Sequence, residues 1–302
     1  MPRTRRGTNT AAKGGARSPQ EQLQLTTKWE ARQVPPLDSI LLSQWRIHPL
    51  IVLAGDLDPG LLRVLLDSNG LVIAKEATEE WVAETVGVAG LVATRQYELV
   101  QMGIPDISAL TTVPRADGVG VTQVSKPGST KLHMDGYQFP MIYQGRVIAG
   151  VGNMPDVESL FYPRVWERRL IFVFGGPAAF RKTAELGEEL FAALALPQFK
   201  VEINEYKRKD PFLSEPDPFP IVYCDEIDWR FSIGGRTYTE NADGHFALEI
   251  LRQNLESQDA YSFEVESGDA AFFNQRLVAH LGIRPHVEGG TTLVRRLLRW
   301  QR

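Results

Sequence analysis

Lys131-Leu132-His133-Met134-Asp135-Gly136 is the stretch on which the reading of the fold turns. As a strand running into a glycine turn, it places His133 and Asp135 at i and i+2, on one face. An imidazole and a carboxylate aimed at one spot are two parts of a 2-His-1-carboxylate set, which holds non-haem Fe(II) and leaves positions open. Alone, the pair is weak evidence. With five His and 37 acidic residues among 302, a His-x-Asp/Glu arises by chance about 0.6 times in such a chain. A third ligand has to come from elsewhere.

The C-terminal region offers one. Residues 268–280 read as a glycine turn and then a strand ending in His280. After Gly289-Gly290 a second strand runs from Thr291 to Trp300, with Arg295 and Arg299 on one face and Arg296 on the other. A lone histidine at a strand end is more often bonded to a backbone carbonyl than to a metal. The upstream pair and the downstream arginine favour the ligand reading of His280. His286 follows Pro285 in the connection between the two strands and reads as a loop residue.

The order His133-x-Asp135, then 144 residues, then His280 and an arginine fifteen residues further on resembles the Fe(II)/2-oxoglutarate-dependent oxygenases. Within them it is most similar to the taurine dioxygenase and clavaminate synthase branch. The long intervening segment, the Phe273-Asn274-Gln275-Arg276 run and Arg295-x-x-x-Arg299 carry that likeness. The resemblance implies that His133, Asp135 and His280 bind Fe(II) and that Arg295 takes the C5 carboxylate of 2-oxoglutarate. A planar guanidinium suits that task, because it meets a carboxylate bidentately and stays charged when desolvated. Arg299 is a candidate for an anionic substrate or the second carboxylate oxygen. For the other end of 2-oxoglutarate the family uses a hydroxyl or amide near the first ligands; Gln123, Ser125 and Asn153 are the candidates, and the sequence does not choose among them.

The resemblance further implies O2 as co-substrate and hydroxylation as the default outcome, with desaturation or ring formation as alternatives. Halogenating members carry a small residue in place of the carboxylate, so Asp135 argues against halogenation. The substrate expected by analogy is a small polar metabolite, such as an amino acid or another biosynthetic intermediate. Two other readings stay open. One is a cupin-type enzyme without 2-oxoglutarate, such as a metal-dependent isomerase; the other is a barrel that binds a ligand without catalysis.

Composition bounds the rest. A hydrophobic content of 43% suits a globular chain with a sizeable core, and no apolar run approaches the eighteen or so residues of a membrane span. The N-terminus lacks the apolar stretch of a secretory signal. One cysteine, Cys224, excludes an intramolecular disulfide and suits a reducing compartment. The expected location is therefore the cytoplasm, with no membrane partner. Residues 1–20 carry Arg3, Arg5, Arg6, Lys13 and Arg17 without an acid; the net −4 less this +5 leaves −9 for residues 21–302. Residues 1–25 read as a disordered basic leader rather than a nucleic-acid site. Residues 26–302 read as one domain with a helical and loop insertion around 155–260. Oligomeric state is left open, a homo-oligomer included.

Along the chain, the Leu-rich stretch up to Trp45 predicts a short helix, and 50–54 a strand. Asp58 caps a helix with Pro59 in its first turn, and Asn69-Gly70 ends it before a strand over 71–74. Thr78 begins a helical pattern predicted to reach Met102. Strands are predicted over 119–124, 131–135, 168–174 and 199–206, with a hairpin over 141–151. Helices are predicted over 178–194 and 245–255. Short β-runs flanking an inserted region, with helices towards the N-terminus, fit a mainly β chain built on a double-stranded β-helix, a jelly-roll or cupin-like core. An alternating α/β arrangement is the rival for 160–206.

Overall fold

The computed structural model describes residues 45–93, 112–114, 119–124, 128–129, 132–134, 140–143, 146–149, 155–165, 169–201, 218–224, 229–231, 233–234, 237–258, 260–284 and 291–301. The first strands are β1 (Leu50–Leu53), β2 (Leu71–Lys75), β3 (Leu91–Ala93), β4 (Thr112–Pro114), β5 (Val119–Val124) and β6 (Gly128–Ser129). A hairpin of β7 (Pro140–Tyr143) and β8 (Arg146–Ala149) follows, as expected. Then come β9 (Val157–Arg164), β10 (Arg169–Gly175), β11 (Lys200–Val201), β12 (Val222–Cys224), β13 (Trp229–Phe231) and β14 (Thr237–Tyr238). The last four are β15 (Tyr261–Val265), β16 (Asp269–Asn274), β17 (Val278–Arg284) and β18 (Thr291–Trp300). The longer helices are α1 (Leu62–Asn69), α2 (Glu79–Val88), α3 (Gly176–Leu186), α4 (Glu188–Ala195) and α5 (Ala242–Glu256).

Two sheets face each other. The larger runs β1-β2-β16-β9-β18-β5-β4, and β3 pairs with β18 beyond β5. The smaller runs β15-β10-β17-β6. Every pairing in the two sheets is antiparallel except β1 with β2. Alternation along each strand sorts its side chains into two sets. From the large sheet, Ile73, Leu160, Ala271, Phe273 and Leu293 meet Ile171, Val173, Phe263 and Val278 of the small sheet in a core between the sheets. Val157, Phe161, Phe272, Val294 and Leu298 point the other way and pack under α1 and α2. Phe174 and Ala279, on the outer side of the small sheet, pack against α3, α4 and α5. Covered on both faces, the central strand β9 is buried from Val157 to Tyr162, with Glu158 and Ser159 as polar members of that buried stretch.

Local signals fixed the first elements. The Asp58 carboxylate accepts from the Gly60 N–H, and α1 ends at Gly70 in the left-handed region, φ 76°. The Thr78 hydroxyl accepts from the Trp81 N–H at the start of α2. Other expectations are corrected. The helix from Thr78 stops at Val88 rather than Met102; Gly90 turns at φ 71° and Leu91-Val92-Ala93 pair as β3 with the end of β18. The single helix expected over 178–194 is two helices, parted where Gly187 becomes extended. The strand expected to end in His280 is two strands. Asn274 closes a turn between them by accepting from the Arg276 N–H at its side chain and the Leu277 N–H at its carbonyl. That turn carries the chain from the large sheet to the small one, so His280 lies inside β17.

The segment 155–260, expected as a helical and loop insertion, begins with two strands of the main sheets, and its helices start at Gly176. Among the described residues the alternating α/β arrangement is absent there, because β9 and β10 belong to opposite sheets and both pair antiparallel. The helix expected before Trp45 and most of the strand expected over 199–206 lie outside the described residues. Among the described residues, no helix is long and apolar enough to cross a membrane.

One glycine has a steric reason. A Cβ on Gly176 would run into the ring of Phe231, which is fully buried and packs edge-on to Phe180 at 5.2 Å. Alanine would gain helix propensity of at most about 1 kcal/mol, whereas overpacking a filled core costs roughly 1–3 kcal/mol. Gly176→Ala is therefore expected to destabilise by about 1 kcal/mol in urea unfolding; an unchanged midpoint would show that Phe231 yields freely.

Candidate metal and co-substrate site

His133 and His280 meet through their backbones. The His133 N–H donates to the His280 carbonyl at 3.0 Å, and the His280 N–H donates to the His133 carbonyl at 2.9 Å. Residues that exchange both hydrogen bonds present their side chains side by side on one face. The two imidazole centroids are 4.6 Å apart with planes at 52°. Leu132 and Met134 are buried in the helical core outside the small sheet, so alternation turns His133 the other way, between the sheets. In β17, Ala279 joins the same helical core while Val278 joins the inter-sheet core. That assigns the inner face to His280 as well. Phe273 stands against the His280 ring at 5.0 Å. The expected strand over 131–135 appears among the described residues only as this single bridge.

Arg295 enters from the large sheet. It sits opposite Gly120 of β5 and Leu160 of β9, with a side chain 17% exposed. Arg296 is on the face opposite Arg295, as predicted, buried under α2 with its Nη2 3.6 Å from Glu79. Arg299 pairs with Val92 of β3, and four residues along a strand put it about 13 Å from Arg295. Gln123 is placed in β5 opposite Thr292. Asp135, Ser125 and Asn153 lie outside the described residues. Among the described residues no group of three His, Cys, Asp or Glu side chains is placed to hold a metal.

The sequence reading missed Glu158. It lies on the inner face of β9 with no solvent exposure. Its Oε2 accepts from Gln275 Nε2 at 2.6 Å and lies 3.8 Å from His280 Nδ1. Its Oε1 lies 3.4 Å from Arg295 Nε. A carboxylate without partners would cost several kcal/mol in such a place; the guanidinium and the amide offset that cost. The available signal was one acid in a short stretch, Val157-Glu158-Ser159-Leu160-Phe161, whose other members are apolar apart from a serine. Deeper between the sheets, the Arg169 guanidinium lies 5.4 Å over the Tyr162 ring. Burial pushes the Tyr162 phenol above its ordinary pKa, with Arg169 and Arg295 acting against the shift and Glu158 and Asp269 adding to it.

Two facing antiparallel sheets, helices outside both, and paired imidazoles on an inner face define a double-stranded β-helix of the jelly-roll, cupin-like type. Solved non-haem iron oxygenases share this fold. An asparagine oxygenase, solved with Fe(II), a 3-hydroxyasparagine and succinate, is 13% identical with a TM-score of 0.53, covering 93% of this chain and 89% of that one. The non-haem iron oxygenase OrfP, solved with iron and L-arginine, is 13% identical with a TM-score of 0.52, covering 82% of both chains. PvcB from Pseudomonas aeruginosa is 14% identical with a TM-score of 0.52, covering 85% and 87%. No family model and no curated protein matches this chain.

Proposed function

We propose that the protein is an Fe(II)- and 2-oxoglutarate-dependent oxygenase that hydroxylates a small polar metabolite of the amino-acid class. The observation that carries this reading is the doubly bonded pair of His133 and His280, with both imidazoles on the inner face and Arg295 facing them from the other sheet. The donor set fits a ferrous ion: two imidazoles held side by side, and in Asp135 a carboxylate two residues from the first. Bound Fe(II) would supply the activation of O2 coupled to oxidative decarboxylation of 2-oxoglutarate to succinate and CO2.

The chain's own residues hold and orient. His133 and His280 would bind through ring nitrogens whose position is set by the backbone bridge, and Asp135 would neutralise part of the metal's charge. Arg295 would take the C5 carboxylate of 2-oxoglutarate. Gln123, Ser125 or Asn153 would meet its other end, and Arg299 an anionic group of the substrate. Phe273 shields the His280 ring from water. An amino-acid substrate is supported by the similar structures, one an asparagine oxygenase and one holding L-arginine. A reducing cytoplasm suits both ferrous iron and the lone Cys224.

Anaerobic titration of the Fe(II)-loaded protein with 2-oxoglutarate tests the proposal. A visible charge-transfer band is expected, followed by amino-acid-stimulated release of succinate in air. Protein that takes up iron but shows no band and no succinate would instead favour a cupin enzyme without 2-oxoglutarate.

A further inference from the structure

We infer that Glu158 is a positioning residue that orients the metal-binding His280 and the co-substrate-binding Arg295 together, an inference that rests on the oxygenase reading above. Each carboxylate oxygen has a separate task. Oε2 lies 3.8 Å from His280 Nδ1 and Oε1 lies 3.4 Å from Arg295 Nε. An imidazole that binds metal through one nitrogen is held in its tautomer and ring orientation when the other nitrogen faces a carboxylate. Glu158 is the carboxylate on the Nδ1 side, at ion-pair rather than hydrogen-bond distance, which leaves Nε2 for the metal. On Arg295 it takes the Nε edge of the guanidinium, and the Nη1/Nη2 edge is the one that can meet a 2-oxoglutarate carboxylate as a fork.

Glu158 is itself fixed. Gln275, with no solvent exposure, donates to Oε2 at 2.6 Å, and β9 holds the backbone between β16 and β18. Stability alone is a poor reason for this arrangement, because a buried ion pair is commonly matched or bettered by apolar residues of similar volume. A carboxylate that lies 3.8 Å from the metal ligand and 3.4 Å from the co-substrate anchor has a reason to be there. It links the small sheet, which supplies His280, to the large sheet, which supplies Arg295.

The test compares wild type with Glu158→Gln, which keeps shape and removes charge. Fe(II) dissociation constants come from anaerobic chelator competition, 2-oxoglutarate constants from the charge-transfer band, and unfolding midpoints from the metal-free proteins. Glu158→Gln is expected to weaken both Fe(II) and 2-oxoglutarate binding by about tenfold or more, and to lower the midpoint as well, because Arg295 loses its buried counter-charge. A lowered midpoint with both constants as in wild type would mean a structural role only and would overturn the inference. Should that variant fail to fold, Gln275→Met, which withdraws the amide fixing Glu158, is expected to weaken both constants several-fold; wild-type constants would again overturn it. Wild type that gives no band would fail the oxygenase reading, and this role with it, whereas a normal wild type beside an unaffected variant fails only the role of Glu158.

Discussion

Replacing His280 with alanine is expected to abolish Fe(II) retention and to lower 2-oxoglutarate turnover by about a thousandfold or more. Several kcal/mol of barrier lowering depend on a bound metal, and each 1.36 kcal/mol is about tenfold in rate. The backbone bridge to His133 does not need the imidazole, since both of its hydrogen bonds are between main-chain groups. The variant should therefore fold, with metal loss as the primary defect. Iron content after anaerobic desalting and succinate release by the reloaded protein measure the two effects. A His280→Ala protein that keeps stoichiometric iron and turns over normally would remove the site from this position. His133→Ala is expected to behave alike, because the two imidazoles share one inner face at 4.6 Å.

For Arg295→Ala the expected result is a KM for 2-oxoglutarate raised by roughly a hundredfold with Fe(II) binding retained. A charge-assisted hydrogen bond is worth about 1.5–3 kcal/mol, so a bidentate pair readily supplies the 3 kcal/mol or so that this factor needs. Alanine also strips Glu158 of its nearest cation, which should lower the unfolding midpoint. Arg295→Lys separates the two effects: it keeps a positive charge near Glu158 but loses the planar fork. Steady-state succinate release at varied 2-oxoglutarate measures KM for each. An Arg295→Ala enzyme with a wild-type KM would transfer the co-substrate to another cation.

Several parts of this architecture were legible because their causes are local. Asp58-Pro59, Asn69-Gly70 and Thr78 mark helix ends through hydrogen bonds that span only a few residues. Strand β5 and strand β18 were placed as they stand, since each has β-branched or apolar residues bounded by turn residues. The long helix predicted from Thr78 failed because Leu91-Val92-Ala93 gain hydrogen bonds from β18, about two hundred positions away, and a periodicity count sees no such partner. Of the strand predicted over 131–135, residues 132–134 are described: His133 bridges His280 and the Met134 N–H donates to the Ile233 carbonyl, partners that no local pattern reveals.

By itself, the sequence determined the identities and order of His133, Asp135, His280 and Arg295, and through alternation the faces of Arg295 and Arg296. Only the tertiary structure decided that residues 147 positions apart become neighbours and that the chain changes sheets between Asn274 and Val278. It alone put the Glu158 carboxylate between an imidazole and a guanidinium. Side-chain alternation is a property of one strand and can be counted along it. Which strands pair, and what a buried charge meets across the barrel, depends on hydrogen bonds and packing that close only when the whole chain has folded.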